Sequence, residues 1–230
     1  MIQSVDPQNA APVRPAATAV LARDGSSGLE VLLLKRAGTM SFGADAWVFP
    51  GGRVDDDDAG ADDLFSIEAA RRAAVRETRE EAGIAVDGAA LRVLSRWVPG
   101  PEAPKRFQTW LLFGRAETTD VCVDGTEIVD HCWITPAAAL SEHGQRRMGL
   151  LPPTWVTLHQ LSGHRSVDDA AAAIDAAEPE YYESHFVNTD THPVILWHGD
   201  AGYETRDFDA VGPRHRLHMG RGPWRYERGN

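Results

Sequence analysis

The sequence predicts an α/β protein, and three features carry that prediction. Two groups of strand-like segments, within residues 16–49 and 91–134, are each followed by a helical one. A helix over roughly residues 67–82 has a cap residue at each end. The chain has 230 residues and is 43% hydrophobic, enough for a sizeable core in one generous domain or in a domain with an extension.

The elements follow in order. Residues 1–15 are polar and proline-bearing and are expected to form a flexible tail. Ala16–Ala22 and Leu29–Lys35 read as strands joined by the turn cluster Arg23–Gly28. Ala46–Phe49 is a short strand that ends at Pro50-Gly51-Gly52, where paired glycines let the backbone approach a neighbour closely. The acidic stretch 53–63 follows. Its Asp55–Asp58 run reads as a solvated loop, with an accessory cation site as the sharper alternative.

Ser66 is the expected N-cap of the central helix, Ile67, Ala70, Ala74 and Thr78 its inward stripe, and Gly83 its C-terminal stop. Leu91–Val98, Phe107–Arg115 and Ile128–Ile134 are further strands, and Pro136 opens a helix running to about Glu142. Beyond residue 154 the composition turns helical, at Trp155–Leu161 and Ser166–Ala177. The remainder mixes aromatics, histidines and turn formers, with apolar pieces at His185–Val187 and Val194–Trp197. The expected organisation is a tail over 1–15, a domain over 16–150, and a helical and irregular extension over 151–230 packed on the same domain.

The central helix carries the chemistry. At about 100° per residue, Glu77, Glu80 and Glu81 fall within an arc of about 100°. Like charges at such spacing weaken a helix by a few tenths of a kcal/mol per pair. A cation relieves that repulsion, and hard divalent ions such as Mg²⁺ or Mn²⁺ prefer oxygen ligands. The plainer reading is a solvated acidic face paired with Arg71, Arg72, Arg76 and Arg79.

Composition narrows the partners. A net charge of −11 argues against binding a nucleic-acid backbone. It leaves phosphorylated small molecules open, because a bound metal reverses the local field. The longest aliphatic runs are too short to span a bilayer, so no membrane partner is expected. The N-terminus shows no basic and apolar leader pattern, and Cys122 and Cys132 read as reduced thiols, so a cytoplasmic location is expected. Trp47, Trp97, Trp110 and Trp133 stand in strand-like contexts and are expected in the core. Seven of the nine histidines lie in the last 80 residues without zinc-ligand spacing.

The block Glu68, seven residues, then Arg76-Glu77-Thr78-Arg79-Glu80-Glu81-Ala82-Gly83-Ile84 resembles the signature of the Nudix hydrolases, G-x5-E-x7-R-E-U-x-E-E-x-G-U, where U is bulky and apolar. Two departures stand out. Asp62 occupies the place of the leading glycine, so Gly52 is the match and about ten extra residues lie between it and the helix. Thr78 replaces the usual aliphatic residue. The resemblance covers roughly residues 16–150 and implies a Nudix fold, a mixed β-sheet sandwiched between helices.

The same resemblance implies metal-dependent hydrolysis of a nucleoside diphosphate derivative. Glu77, Glu80 and Glu81 are the implied ligands of Mg²⁺ or Mn²⁺, the Gly51–Gly52 segment adds backbone contacts to metal and substrate, and Arg76 orients a glutamate. Glu127, just before the Trp133 strand, is the candidate general base outside the box; a solvated surface glutamate is the plainer reading of it. A narrower similarity is to coenzyme A diphosphatases. Leu32-Leu33-Leu34-Lys35-Arg36-Ala37 keeps their spacing to Phe49-Pro50-Gly51-Gly52, with Arg36 at a substrate-binding place. Ser41, Asp45 and Leu34 depart from that pattern.

Coenzyme A or an acyl-coenzyme A is therefore the first expected substrate, with ADP-ribose, NADH and dinucleoside polyphosphates next. A homodimer is common in such families. A non-catalytic, nucleotide-sensing Nudix regulator is the alternative from another class. Residues 151–230 hold seven Arg and no Lys against twelve Asp plus Glu, a net of −5, which does not suit a DNA-binding module.

Overall fold

The computed structural model describes residues 10–39 and 43–229. Ser41, one of the departures noted above, and most of the expected tail lie outside the described residues. The chain divides into two compact units.

The larger unit comprises Pro15–Ser95 and Thr109–Glu180. Its sheet is built on β1 (Val13–Gly25) and β2 (Gly28–Arg36), an antiparallel hairpin closed where Gly25 faces Gly28. Ala16, Ala17 and Ala19–Ala22 are buried on both faces of β1, as befits a central strand. β3 (Ala46–Val48) pairs with β2, and β4 (Gly51–Arg53) pairs with β1. β5 (Arg92–Val98) and β6 (Arg106–Arg115) extend the sheet beyond β1, and β7 (Ile128–Ile134) runs antiparallel to β2. β8 (Gly149–Leu150) pairs parallel with β3, which makes the sheet mixed.

Helices α1 (Asp56–Ala59), α2 (Ile67–Ala82), α3 (Pro136–Gly144), α4 (Pro152–Leu161) and α5 (Val167–Asp175) complete this unit. α2 buries Ala69, Ala70, Ala73, Ala74 and Ala82 against Ala17, Leu21, Leu32, Leu34 and Leu112. Alanine on this face lets α2 lie close to the sheet, and that closeness brings its carboxylates to the backbone of β4. Ser66 caps α2, its Oγ accepting the Ala69 N–H at 3.1 Å, and Gly83 ends it with φ 70°.

The smaller unit contains residues 10–14, 96–108 and 181–229. Residues 96–98 of β5 and 181–183 of β9 (Glu180–Glu183) belong to this unit, where Trp97 stacks on Tyr182 at 3.9 Å between ring centroids. β10 (His185–Asn188), β11 (Pro193–Leu196), β12 (Arg214–His218) and β13 (Arg225–Gly229) form an antiparallel sheet in that order. A fully buried ion pair crosses its interior, Arg216 Nη2 to Asp200 Oδ1 at 2.6 Å.

Four expectations change. β1 begins at Val13, inside the expected tail. Residues 151–230 are not one extension, because α4 and α5 belong with the larger unit and the rest forms the smaller one. That last part is β-sheet in place of the expected helical and irregular chain: its strands are four or five residues long, and β12 buries two histidines and an arginine, which hides the period of two. The Asp55–Asp58 run also differs from a solvated loop. It forms α1, with Asp58 and Ala59 buried.

Candidate active site

Gly51 and Gly52 admit the helix. Gly51 has φ 155°, and a Cβ there would strike the Ala17 carbonyl and Thr18 of the paired strand. A Cβ on Gly52 would strike the carboxylate of Glu77. The bare backbone leaves room for the Gly51 N–H to donate to Glu81 Oε2 at 2.8 Å across 30 residues of chain.

The three box glutamates stand in different environments. Glu81 is buried, Glu77 half-buried and Glu80 exposed. Burial drives the Glu81 carboxyl up to about 7, with the charges of Glu77 and Glu127 adding and the Gly51 N–H and Arg36 opposing. Burial also raises Glu77; Arg76 opposes it, and Glu80 and Asp55 add to it. A carboxyl held near 7 trades its proton for a cation close to neutral pH.

Arg76 is the hub of the acidic strip. Its Nη1 donates to Glu77 Oε1 at 2.9 Å and to Glu80 Oε2 at 3.1 Å. Its Nε and Nη2 donate to the two oxygens of Asp58 at 3.1 and 2.7 Å, and Nη2 also reaches the Arg53 carbonyl at 3.0 Å. Arg72 ties the same loop down through the carbonyls of Asp58 and Ala59 and through Asp62 Oδ2.

Arg36 closes β2, and Glu127 stands just before β7. The Ala37 N–H donates to the Glu127 carbonyl at 2.8 Å. The register of β2 and β7 slips between Lys35 and Arg36, which face Asp130 and Ile128 and pass over Val129. Such a slip re-aims a side chain. Both residues contribute to the field at Glu81, so the predicted set Glu77, Glu80, Glu81, Arg76, Gly51, Gly52, Arg36 and Glu127 gathers around one end of α2.

The set is not a ready-made ion cage. Among the described residues, no three His, Cys, Asp or Glu side chains are placed to hold one ion. Glu77 and Glu80 share Arg76, and Glu81 is turned to Gly51. The donor chemistry, carboxylate oxygens with one acid near 7, nonetheless fits a hard divalent cation. Sequence reasoning named Asp58 only within an acidic run and Arg72 only as a partner of the acidic helix face, and missed the ties of Asp58 to Arg76 and of Arg72 to the loop. The signal was there in Asp55-x-x-Asp58, an acid three residues after a cap, and the Asp55 N–H indeed donates to Asp58 Oδ2 at 2.9 Å.

Comparison with curated proteins gives no match. Among solved structures, the NUDIX hydrolase from Alicyclobacillus acidocaldarius is similar at 25% identity, over 71% of this chain and 96% of that one, with a TM-score of 0.63. The MutT NUDIX hydrolase from Burkholderia pseudomallei is similar at 25% identity, over 66% and 99%, with a TM-score of 0.49. A family model for the NUDIX domain matches residues 12–152, which take in the larger unit's sheet from β1 to β8 together with α1, α2 and α3. With more than half of the chain matched and the mixed sheet and helices in place, the chain belongs to the Nudix family and is a pyrophosphohydrolase.

Proposed function

We propose that this protein hydrolyses the diphosphate linkage of a nucleoside diphosphate derivative with Mg²⁺ or Mn²⁺ bound at Glu77, Glu80 and Glu81. The observation that carries the reading is the burial of the Glu81 carboxylate against the Gly51 N–H, beside Glu77 and with its acidity moved to about 7. A divalent ion in such a site neutralises phosphate oxygens and acidifies the attacking water. Arg76 holds Glu77 and Glu80 in one orientation. Gly51 and Gly52 leave backbone open beside the carboxylates, and Arg36 supplies a positive charge for a substrate phosphate. Glu127, exposed and near enough for its charge to act on Glu81, takes the proton from water.

Coenzyme A or an acyl-coenzyme A is the first substrate to test, on the spacing from Arg36 to Phe49-Pro50-Gly51-Gly52. ADP-ribose, NADH and a dinucleoside polyphosphate complete the panel. Each is incubated with protein and Mg²⁺ or Mn²⁺, and the products are identified by mass spectrometry. The expected products are a nucleoside monophosphate and a phosphorylated remainder. Failure to release 3′,5′-ADP from coenzyme A removes that substrate, and failure on the whole panel with both ions removes the proposal.

A further inference from the structure

The stretch between Gly52 and the helix is about ten residues longer than the family pattern, and the structure shows what the extra chain does. It folds into α1 and inserts one carboxylate, Asp58, into the side of the catalytic helix. Asp58 is 5% exposed, and Val54 and Ala59 beside it join the hydrophobic core under α2. Arg72 fastens the segment independently through Asp58, Ala59 and Asp62. The loop is therefore anchored and cannot be described as a solvated run.

The bond pattern on Arg76 is divided by edge. Asp58 takes Nε and Nη2, and the Arg53 carbonyl takes Nη2 as well. Only Nη1 points toward the box, where it is shared by Glu77 and Glu80. Glu68, the outlying member of the box motif, is exposed and two helical turns from Arg76, about 12 Å along the axis, so it does not serve this edge. Without Asp58 the guanidinium is free to turn its two-pronged edge onto Glu77 and Glu80, where a bidentate pair would compete with a metal ion.

We infer that Asp58 is a positioning residue of this enzyme: by holding one edge of Arg76 it limits that arginine to a single amino contact with Glu77 and Glu80 and keeps their remaining oxygens available to a divalent cation. This rests on the proposed metal site. The burial of Asp58 works to raise its pKa, yet the bonds from Arg76 and the Asp55 N–H outweigh burial and hold the pKa low, so it stays an anion at working pH.

The test titrates the full chain with Mn²⁺ alone by calorimetry. Asp58→Asn is expected to weaken Mn²⁺ binding about tenfold, as loss of a group that orients a ligand commonly does. Asp57→Asn removes the same charge from the same helix at an exposed position and is expected to change it less than twofold. In an Arg76→Gln background, Asp58→Asn is expected to have no further effect. A second readout needs no metal: the Arg76 Nε–H resonance is expected to be protected in wild type and Asp57→Asn and to exchange rapidly in Asp58→Asn. If Asp58→Asn does not fold, Asp58→Glu, which keeps the charge and displaces the carboxylate, is expected to weaken binding in the same direction. Equal Mn²⁺ affinity for Asp58→Asn and Asp57→Asn, or an undiminished effect in the Arg76→Gln background, overturns the inference and leaves the metal site standing. A wild type that binds no Mn²⁺ and cleaves no diphosphate overturns the metal site itself.

Discussion

Glu81→Gln should make the metal-free protein more stable while it removes function. The carboxyl is 6% exposed and rises from an ordinary 4.5 to about 7, with burial as the main cause. That step corresponds to about 3 kcal/mol at about 1.4 kcal/mol per pH unit. The sign follows from proton binding. Between pH 4.5 and 7 the folded state holds the Glu81 proton and the unfolded state has lost it, so stability falls as pH rises through this window. Glutamine cannot ionise, and its side-chain carbonyl still accepts the Gly51 N–H. Urea unfolding with EDTA present, followed by circular dichroism, should show the variant more stable than wild type by about 3 kcal/mol at pH 8 and by less than about 1 kcal/mol at pH 5. Saturating Mg²⁺ should narrow or reverse the difference at pH 8, because a ligand that binds only the folded state stabilises it. A difference that is the same at pH 5 and pH 8, or a variant less stable at pH 8, would refute the argument that burial penalises this carboxylate.

Four further outcomes are expected. Glu80→Gln should abolish Mg²⁺-dependent turnover with the fold intact, since Glu80 is exposed and has Arg76 as its partner; unchanged turnover at saturating Mg²⁺ counts against the metal site. Gly52→Ala should leave stability nearly unchanged but weaken Mn²⁺ binding about tenfold in calorimetry, because the new methyl displaces the flexible end of Glu77 and meets no backbone among its nearest contacts. Thr78→Val should raise stability in urea by about 1 kcal/mol, since the Thr78 hydroxyl is buried without a hydrogen-bond partner in the face of α2 that packs on the sheet. Asp200→Ala should cost the smaller unit about 3–5 kcal/mol by leaving Arg216 buried and unpaired, seen as early loss of protection in hydrogen exchange over β11 and β12.

Local information determined the central helix in advance. Ser66, the alanine stripe and Gly83 act within a few residues, so cap chemistry and a 3.6-residue period suffice to place α2 and to put Glu77, Glu80 and Glu81 on one strip. The long strands β1, β2, β6 and β7 were legible for the same reason, since each carries enough apolar residues to show its burial. The short strands of the smaller unit were not, because four or five residues cannot establish a period, least of all in β12, where an arginine and two histidines are buried.

The family signature names the reaction class from the spacing of a handful of side chains. It says nothing of which carboxylate is buried, because burial depends on β4 packing against α2, where Gly51 meets Glu81 across 30 residues of sequence. Only the tertiary structure turned three equivalent glutamates into a buried acid near 7, a half-buried neighbour and an exposed one. It also turned a run of four aspartates into a short helix with one carboxylate driven into Arg76. Four like charges in sequence read alike; what separates them is desolvation and partner geometry, and both are set by distant chain.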